Sequence, residues 1–172
     1  MANFTLLLLV LAAAQAPGAA EPLAGRCHMG ECSWSRELAR ETVRETPDGR
    51  LLRLRLLGGG SVVTEEGDYE SAYDERRRIE WNEEPHEVFV FCSTRLPAVL
   101  FEIDGGLQVD VLDFVGGNPG YLESSATLYI ATCHGRAALE ETDFAERHGY
   151  RSAPPVRELE LSSAEEIFDR LR

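Results

Sequence analysis

The longest apolar run outside the N-terminal stretch covers residues 87–103, with the sequence EVFVFCSTRLPAVLFEI. Successive side chains of a strand point to opposite faces, which divides the first half of this run into Val88, Val90 and Cys92 on one face and Phe89 and Phe91 on the other. Both faces are apolar, so the pattern predicts a core strand buried on both sides.

Pro97 interrupts this run, and a second strand is predicted to begin at Ala98. Proline lacks the backbone N–H that a central strand needs for pairing, so it separates strands more readily than it continues them. The alternation that follows places Val99, Phe101 and Ile103 on one face of the second strand.

Shorter alternating runs predict two hairpins. The first pairs residues 38–46 with 51–57 around a Pro-Asp-Gly turn signal, and three leucines alternate with two arginines on its second strand: Leu52, Leu54, Leu56 against Arg53, Arg55. The glycines at 58–60 are predicted to end that hairpin. The second hairpin turns at Gly105 and Gly106 and continues through residues 107–114.

The C-terminal third combines helical and ambiguous patterns. The β-branched and aromatic residues between Tyr121 and Gly135 favour a strand, although Leu122, Ala126, Tyr129 and Cys133 also fall at helical spacing. Residues 137–148 predict a short helix that Gly149 ends. A serine at 162 or 163 with a glutamate at 165 or 166 has the spacing of a capping box and predicts a terminal helix through Leu171.

These elements predict a mainly β fold of the α+β type, a small antiparallel sheet or barrel-like domain with one or two C-terminal helices. We expect the chain to divide into a signal peptide at 1–20, a disulfide-supported β-rich domain at 21–155 and a C-terminal helical tail at 156–172.

The leader consists of an apolar run from Leu6 to Ala14 followed by small residues through Ala20. The run is too short to span a membrane and has the length of a secretory signal, so we expect cleavage after Ala20 and a periplasmic or extracellular protein. No later apolar run approaches the length of a membrane span, so no stable membrane span is expected.

The sequence carries a net charge of −13, concentrated in residues 58–75, 101–135 and 137–172. This balance makes nucleic acid an unlikely partner and favours a cationic protein or ligand. We expect contact through two acidic loops, with these residues as candidates: Glu65, Glu66, Asp68, Tyr69, Tyr73, Asp104, Asp110 and Asp113. The oligomeric state does not follow from the sequence.

The chain has four cysteines, an even number that an oxidising compartment would pair. Of the three pairings, we predict Cys27 with Cys32, which closes a small loop, and Cys92 with Cys133, which joins the core strand to a later segment.

Two chemical alternatives use the same residues. His28 and Met29 between two cysteines, and His134 beside Cys133, would suit a soft metal ion, but the zinc spacing C-x₂-C is absent. A thiol enzyme would use Cys92 with a later histidine, yet no known catalytic motif surrounds it. We therefore expect no cofactor and no metal.

The sequence favours an exported, non-catalytic binding or inhibitor-like domain with an acidic surface. An envelope-acting thiol hydrolase or redox protein, and a structural component of the envelope, are the alternatives that the residues leave open.

Overall fold

The computed structural model describes residues 21–29, 31–62, 78–103 and 105–171. Its strands are β1 (Leu23–His28), β2 (Glu31–Thr46), β3 (Gly49–Val62), β4 (Glu80–Trp81), β5 (His86–Cys92), β6 (Ala98–Ile103) and β7 (Gly106–Val111). Its α-helices are α1 (Glu123–Cys133) and α2 (Phe144–Arg147), and three 3-10 helices cover Gly120–Leu122, Arg136–Glu140 and Ala164–Leu171.

All the strands form one antiparallel sheet in the order β1-β2-β3-β5-β6-β7, and β4 also pairs with β3. The sheet curls into a half-barrel, and 43% of the described residues are in strands and 23% in helices, which confirms the mainly β prediction. None of the described helices has the length and apolar character needed to cross a membrane.

The predicted core strand is β5, and both of its faces are covered. Val88 and Val90 pack into one hydrophobic cluster with α1, whereas Phe91 packs into a second cluster with the C-terminal 3-10 helix. The strand predicted to begin at Ala98 is β6, which pairs with β5 over four residue pairs. The two apolar faces of this strand correctly predicted its position, because a strand that is apolar on both sides is stable only when another layer covers each side.

The first predicted hairpin is confirmed as β2–β3, but the prediction that the glycines at 58–60 end it is wrong. β3 continues through them to Val62 and pairs Gly59 with Trp34 on one side and with Trp81 of β4 on the other. A Cβ atom at Gly59 would lie 2.9 Å from the Trp81 ring. The glycine therefore makes room for a neighbouring aromatic side chain instead of ending the strand.

The prediction of a strand between Tyr121 and Gly135 is also wrong, because this segment forms the 3-10 helix Gly120–Leu122 and then α1. The four residues at helical spacing all belong to, or pack against, the core cluster on one face of the sheet: Leu122, Ala126, Tyr129 and Cys133. Packing of that helical stripe outweighs the β propensity of the threonines and isoleucine in the segment.

The first turn of α1 connects the two edge strands of the curled sheet. The Ser124 hydroxyl accepts a 2.9 Å hydrogen bond from the backbone N–H of Arg26 on β1. The adjacent Ser125 hydroxyl donates a 2.6 Å bond to Asp110 Oδ2 on β7. Neighbouring serines thus hold the start of α1 between opposite edges of the half-barrel.

The helix predicted for 137–148 is interrupted. It forms the 3-10 helix Arg136–Glu140 and, after an extended Glu141, the short α2. Gly149 follows with a φ of 82°, a conformation that suits the end of a helix. The terminal helix forms as Ala164–Leu171, and the Ser162 N–H donates to Glu166 Oε2 across its start.

Candidate functional site

A groove with a volume of about 280 Å³ runs beside β7. One wall is the edge strand itself, one end is the loop that leads into α1, and the far wall is the C-terminal segment. Its lining residues are Gln108, Val109, Asp110, Val111, Asp113, Gly117, Asn118, Pro119, Tyr121, Leu122, Pro154, Arg157, Glu158 and Leu159. Three of them are carboxylates and one is an arginine, so the lining has an excess of negative charge.

Asp110 is a predicted contact residue that the structure places on the wall of the groove. Its side chain is half-buried and accepts the Ser125 hydroxyl at Oδ2 and the Gln108 amide at Oδ1, the latter at 3.4 Å. A carboxylate has about four acceptor sites. These two bonds therefore leave Asp110 able to accept hydrogen bonds from a ligand in the groove.

Asp113, another candidate contact residue, also lines the groove but is only 4% exposed. Its Oδ1 accepts the backbone N–H groups of Val115 and Gly116 at 3.1 and 2.6 Å. Its Oδ2 faces Arg157 Nη2 at 3.0 Å. Asp113 is therefore a structural residue that shapes the loop at the end of the groove, and it pairs with Arg157 of the far wall.

Tyr121 and Glu158 are groove residues that the sequence analysis did not identify. Tyr121 is 74% exposed, and the next residue, Leu122, is buried in the core, so the backbone that carries the tyrosine ring is held in place. Glu158 is exposed on the opposite wall. The available signal was the aromatic residue directly after the Gly/Pro-rich break at 116–120, where exposed binding residues are common.

The remaining predicted contact residues do not contribute to this description. Glu65, Glu66, Asp68, Tyr69, Tyr73 and Asp104 lie outside the described residues. Contact through them therefore stays a prediction.

A second group of titratable side chains forms a hydrogen-bond chain at the other end of α1. His134 Nε2 lies 2.8 Å from the Tyr150 hydroxyl, which donates to the Tyr129 hydroxyl at 2.9 Å, and Tyr129 donates to the backbone oxygen of Ser93 at 3.0 Å. Because the single proton of Tyr150 goes to Tyr129, His134 Nε2 must be the donor in the first bond. The chain therefore requires a proton on that nitrogen.

Burial and neighbouring charge shift the pKa values in this chain. Burial, and then the nearby His148, lower the pKa of His134 to about 4, against an opposing effect of Glu141. Burial raises the pKa of Tyr150 to about 12 and that of Tyr129 well above its ordinary value. At neutral pH the histidine and both tyrosines are thus uncharged, as a closed polar network requires.

The cysteines pair as predicted, with S–S distances of 2.07 Å for Cys27–Cys32 and 2.00 Å for Cys92–Cys133. Because no cysteine is free, the oxidised protein offers no thiol nucleophile. The described residues contain no group of three or more His, Cys, Asp or Glu side chains placed to hold a metal ion.

Comparison with protein-family models, with curated proteins and with solved structures finds no match to this chain. The chemistry of the groove and of the polar chain is therefore the basis for a functional proposal.

Proposed function

We propose that this protein is a small non-catalytic binding domain that acts in the periplasm or outside the cell, and that it binds a cationic segment of a partner protein. The binding site is the groove beside β7. The observation that carries the proposal is the excess of carboxylates around this groove, whose lining contains three acids and one arginine. The net charge of −13 adds a long-range attraction for cations.

An arginine or lysine side chain would find complementary groups on both walls. Asp110 on β7 and Glu158 on the C-terminal segment supply charged acceptors, and the exposed Tyr121 ring supplies a surface for cation–π contact. A planar guanidinium suits this combination best, since it stacks on rings and binds carboxylates through two hydrogen bonds.

The composition of the lining supports binding over catalysis. The described residues that line the groove include no cysteine, histidine, serine or threonine, the side chains that most often act as nucleophile or base. The more strongly perturbed groups, His134 and Tyr129, lie towards the other end of α1. Both are hydrogen-bonded to Tyr150, and Tyr129 also donates to the backbone oxygen of Ser93.

The test uses a capped pentapeptide of alternating valine and arginine, with its affinity measured by calorimetry. Replacing Asp110→Asn together with Glu158→Gln removes two charges from the groove and is expected to raise Kd by about tenfold or more, since tenfold corresponds to about 1.4 kcal/mol. The matched control, Glu83→Gln with Glu84→Gln, removes the same charge from two exposed residues outside the groove.

The expected result is a large loss of affinity for the groove variant and a small, salt-sensitive loss for the control. Equal losses in both variants would mean that only net charge attracts the peptide, and would contradict the groove as the site. No binding by the native protein would contradict the proposed function itself.

A further inference from the structure

We infer that the groove takes its partner as an extended strand that pairs with the outer edge of β7, an inference that rests on the proposed function. The partner is thus a protein segment of alternating basic and apolar residues, bound through its backbone as well as its side chains. Three features of the described residues lead to this conclusion.

The first feature is the position of β7 at the end of the sheet. Its inner side pairs with β6 from Gly106 to Val111, and among the described residues no further strand follows it in the sheet order. In an antiparallel sheet every second residue of an edge strand directs its N–H and C=O away from its partner. Such an edge is the surface to which extended peptides add.

The second feature is that this edge already accepts an antiparallel segment of the same chain. Leu107 forms a bridge with Leu161, the one isolated bridge between described residues. Beyond that bridge the two segments separate, and the groove opens between Gln108–Val111 on one side and Pro154, Glu158 and Leu159 on the other. The bridge thus starts a strand pairing that the chain itself does not continue.

The third feature is the alternation of side chains along the open part of the edge. Asp110 is turned towards α1 through its bond with Ser125, whereas Val109 and Val111 pack with the cluster on the opposite face of the sheet. An added strand would place alternate side chains beside Asp110 and beside the valines. Basic residues suit the first positions and apolar residues suit the second.

The size of the groove limits the paired segment to a few residues. Four residues of strand, the length of the open edge, extend for roughly 13 Å. A volume of about 280 Å³ lies just below the usual range for small-ligand sites, so the ends of a pentapeptide would project into solvent.

The experiment compares two N-methylated forms of the alternating valine–arginine peptide, one methylated on the valines and the other on the arginines. A strand pairs with one neighbour only through every second residue. We therefore expect one form to lose affinity by about tenfold or more while the other stays within about threefold of the parent peptide. Equal affinities for the two forms, whether both retained or both lost, would overturn the inference.

Hydrogen exchange supplies the second measurement. Binding of the parent peptide should increase the protection of outward-facing amides within Gln108–Val111, because they acquire acceptors. The peptide could bind in a way that depends on Asp110 and Glu158 and yet show neither a difference between the N-methylated forms nor added protection of β7. That outcome would refute strand pairing and leave the proposed function intact. Loss of groove-dependent binding altogether would refute the proposed function instead.

Discussion

Two groups of polar side chains lie near opposite ends of α1, and they differ in how completely they are bonded. At the end of the helix, the Tyr129 hydroxyl accepts from Tyr150 and from the Ser93 N–H and donates to the Ser93 oxygen. At the start of the helix, the groove exposes Tyr121 and Glu158, for which the described residues supply no hydrogen bond or ion pair.

This difference distinguishes side chains that stabilise the fold from side chains that are available to bind a partner. A polar group whose hydrogen-bonding capacity is filled internally stabilises the fold, and its loss is measured as a change in unfolding free energy. A polar group that retains free capacity at an open groove contributes little to stability, and its loss is measured in affinity. The variants below should therefore divide into two classes according to the end of α1 that they alter.

The largest expected effect belongs to the Cys92–Cys133 disulfide, which ties β5 to the last residue of α1. Replacing both cysteines with alanine should lower the free energy of unfolding by about 4 kcal/mol in the chain-entropy model, as measured by urea denaturation. The same change at Cys27 and Cys32, whose loop is much shorter, should cost about 2 kcal/mol.

The Cys92/Cys133 variant also tests whether the two ends of α1 are independent, when its affinity for the alternating peptide is measured. While this variant remains folded, its Kd for the alternating peptide should stay within about twofold of the native value, because the groove lies at the other end of the helix. A parallel loss of stability and affinity would show that the two ends are coupled and would contradict this division.

Tyr129→Phe should have the next largest effect. The change removes one hydroxyl but leaves the Ser93 N–H and C=O buried without that partner, which should cost about 1–3 kcal/mol. Tyr121→Phe is the matched control, and its exposed hydroxyl should contribute less than about 0.5 kcal/mol. Similar melting curves for the two variants would refute the assignment of the chain as structural.

The pH dependence follows from His134, whose pKa is lowered to about 4 from an ordinary value of 6.5. At His134 the unfolded chain binds a proton between these values and the folded chain does not. The contribution of this histidine to stability is therefore fully present above about pH 6.5 and is lost as the pH drops towards 4. Among the described residues, His148, Glu141, Tyr150 and Tyr129 are titratable groups that face His134.

His134→Gln removes the titrating group and keeps a side-chain N–H that is able to reach Tyr150. The decrease in unfolding free energy between pH 6.5 and 4 should become shallower in this variant than in the native protein. His86→Gln, at an exposed position, should keep the native slope. An unchanged slope in His134→Gln would exclude this histidine as the source of the pH dependence.

The sequence predicted the centre of the fold because the decisive signals there are local. β5 and β6 follow from two apolar faces and an intervening proline, and the long hairpin follows from its turn residues and alternating leucines. The segment that became α1 has two competing local patterns. The choice between them depends on the sheet face against which Tyr129 packs, which no local window contains.

The groove was predictable only in part for a similar reason. Asp110 stands out as an acid at the second hairpin, but the residues opposite it come from the C-terminal segment. Arg157 is separated from Asp113 by 44 positions, and the pair becomes visible only when both lie beside β7. The burial of Asp113 was missed because two kinds of acidic turn look alike in the sequence. In one the aspartate is exposed, and in the other it is buried and accepts hydrogen bonds from backbone N–H groups that follow it.

Arg157→Gln has the smallest expected effect and tests whether the far wall depends on a charge. The arginine side chain is 72% exposed, so its ion pair with Asp113 should contribute less than about 1 kcal/mol to stability. The variant also removes a cation that competes with the peptide, so the alternating peptide should bind about two- to threefold more tightly. Arg151→Gln, an equal change of charge at an exposed residue outside the groove, should increase affinity less. Weaker binding by Arg157→Gln would contradict this expectation. It would mean that the Arg157–Asp113 ion pair maintains the shape of the groove, so that the far wall contributes both to the structure and to binding.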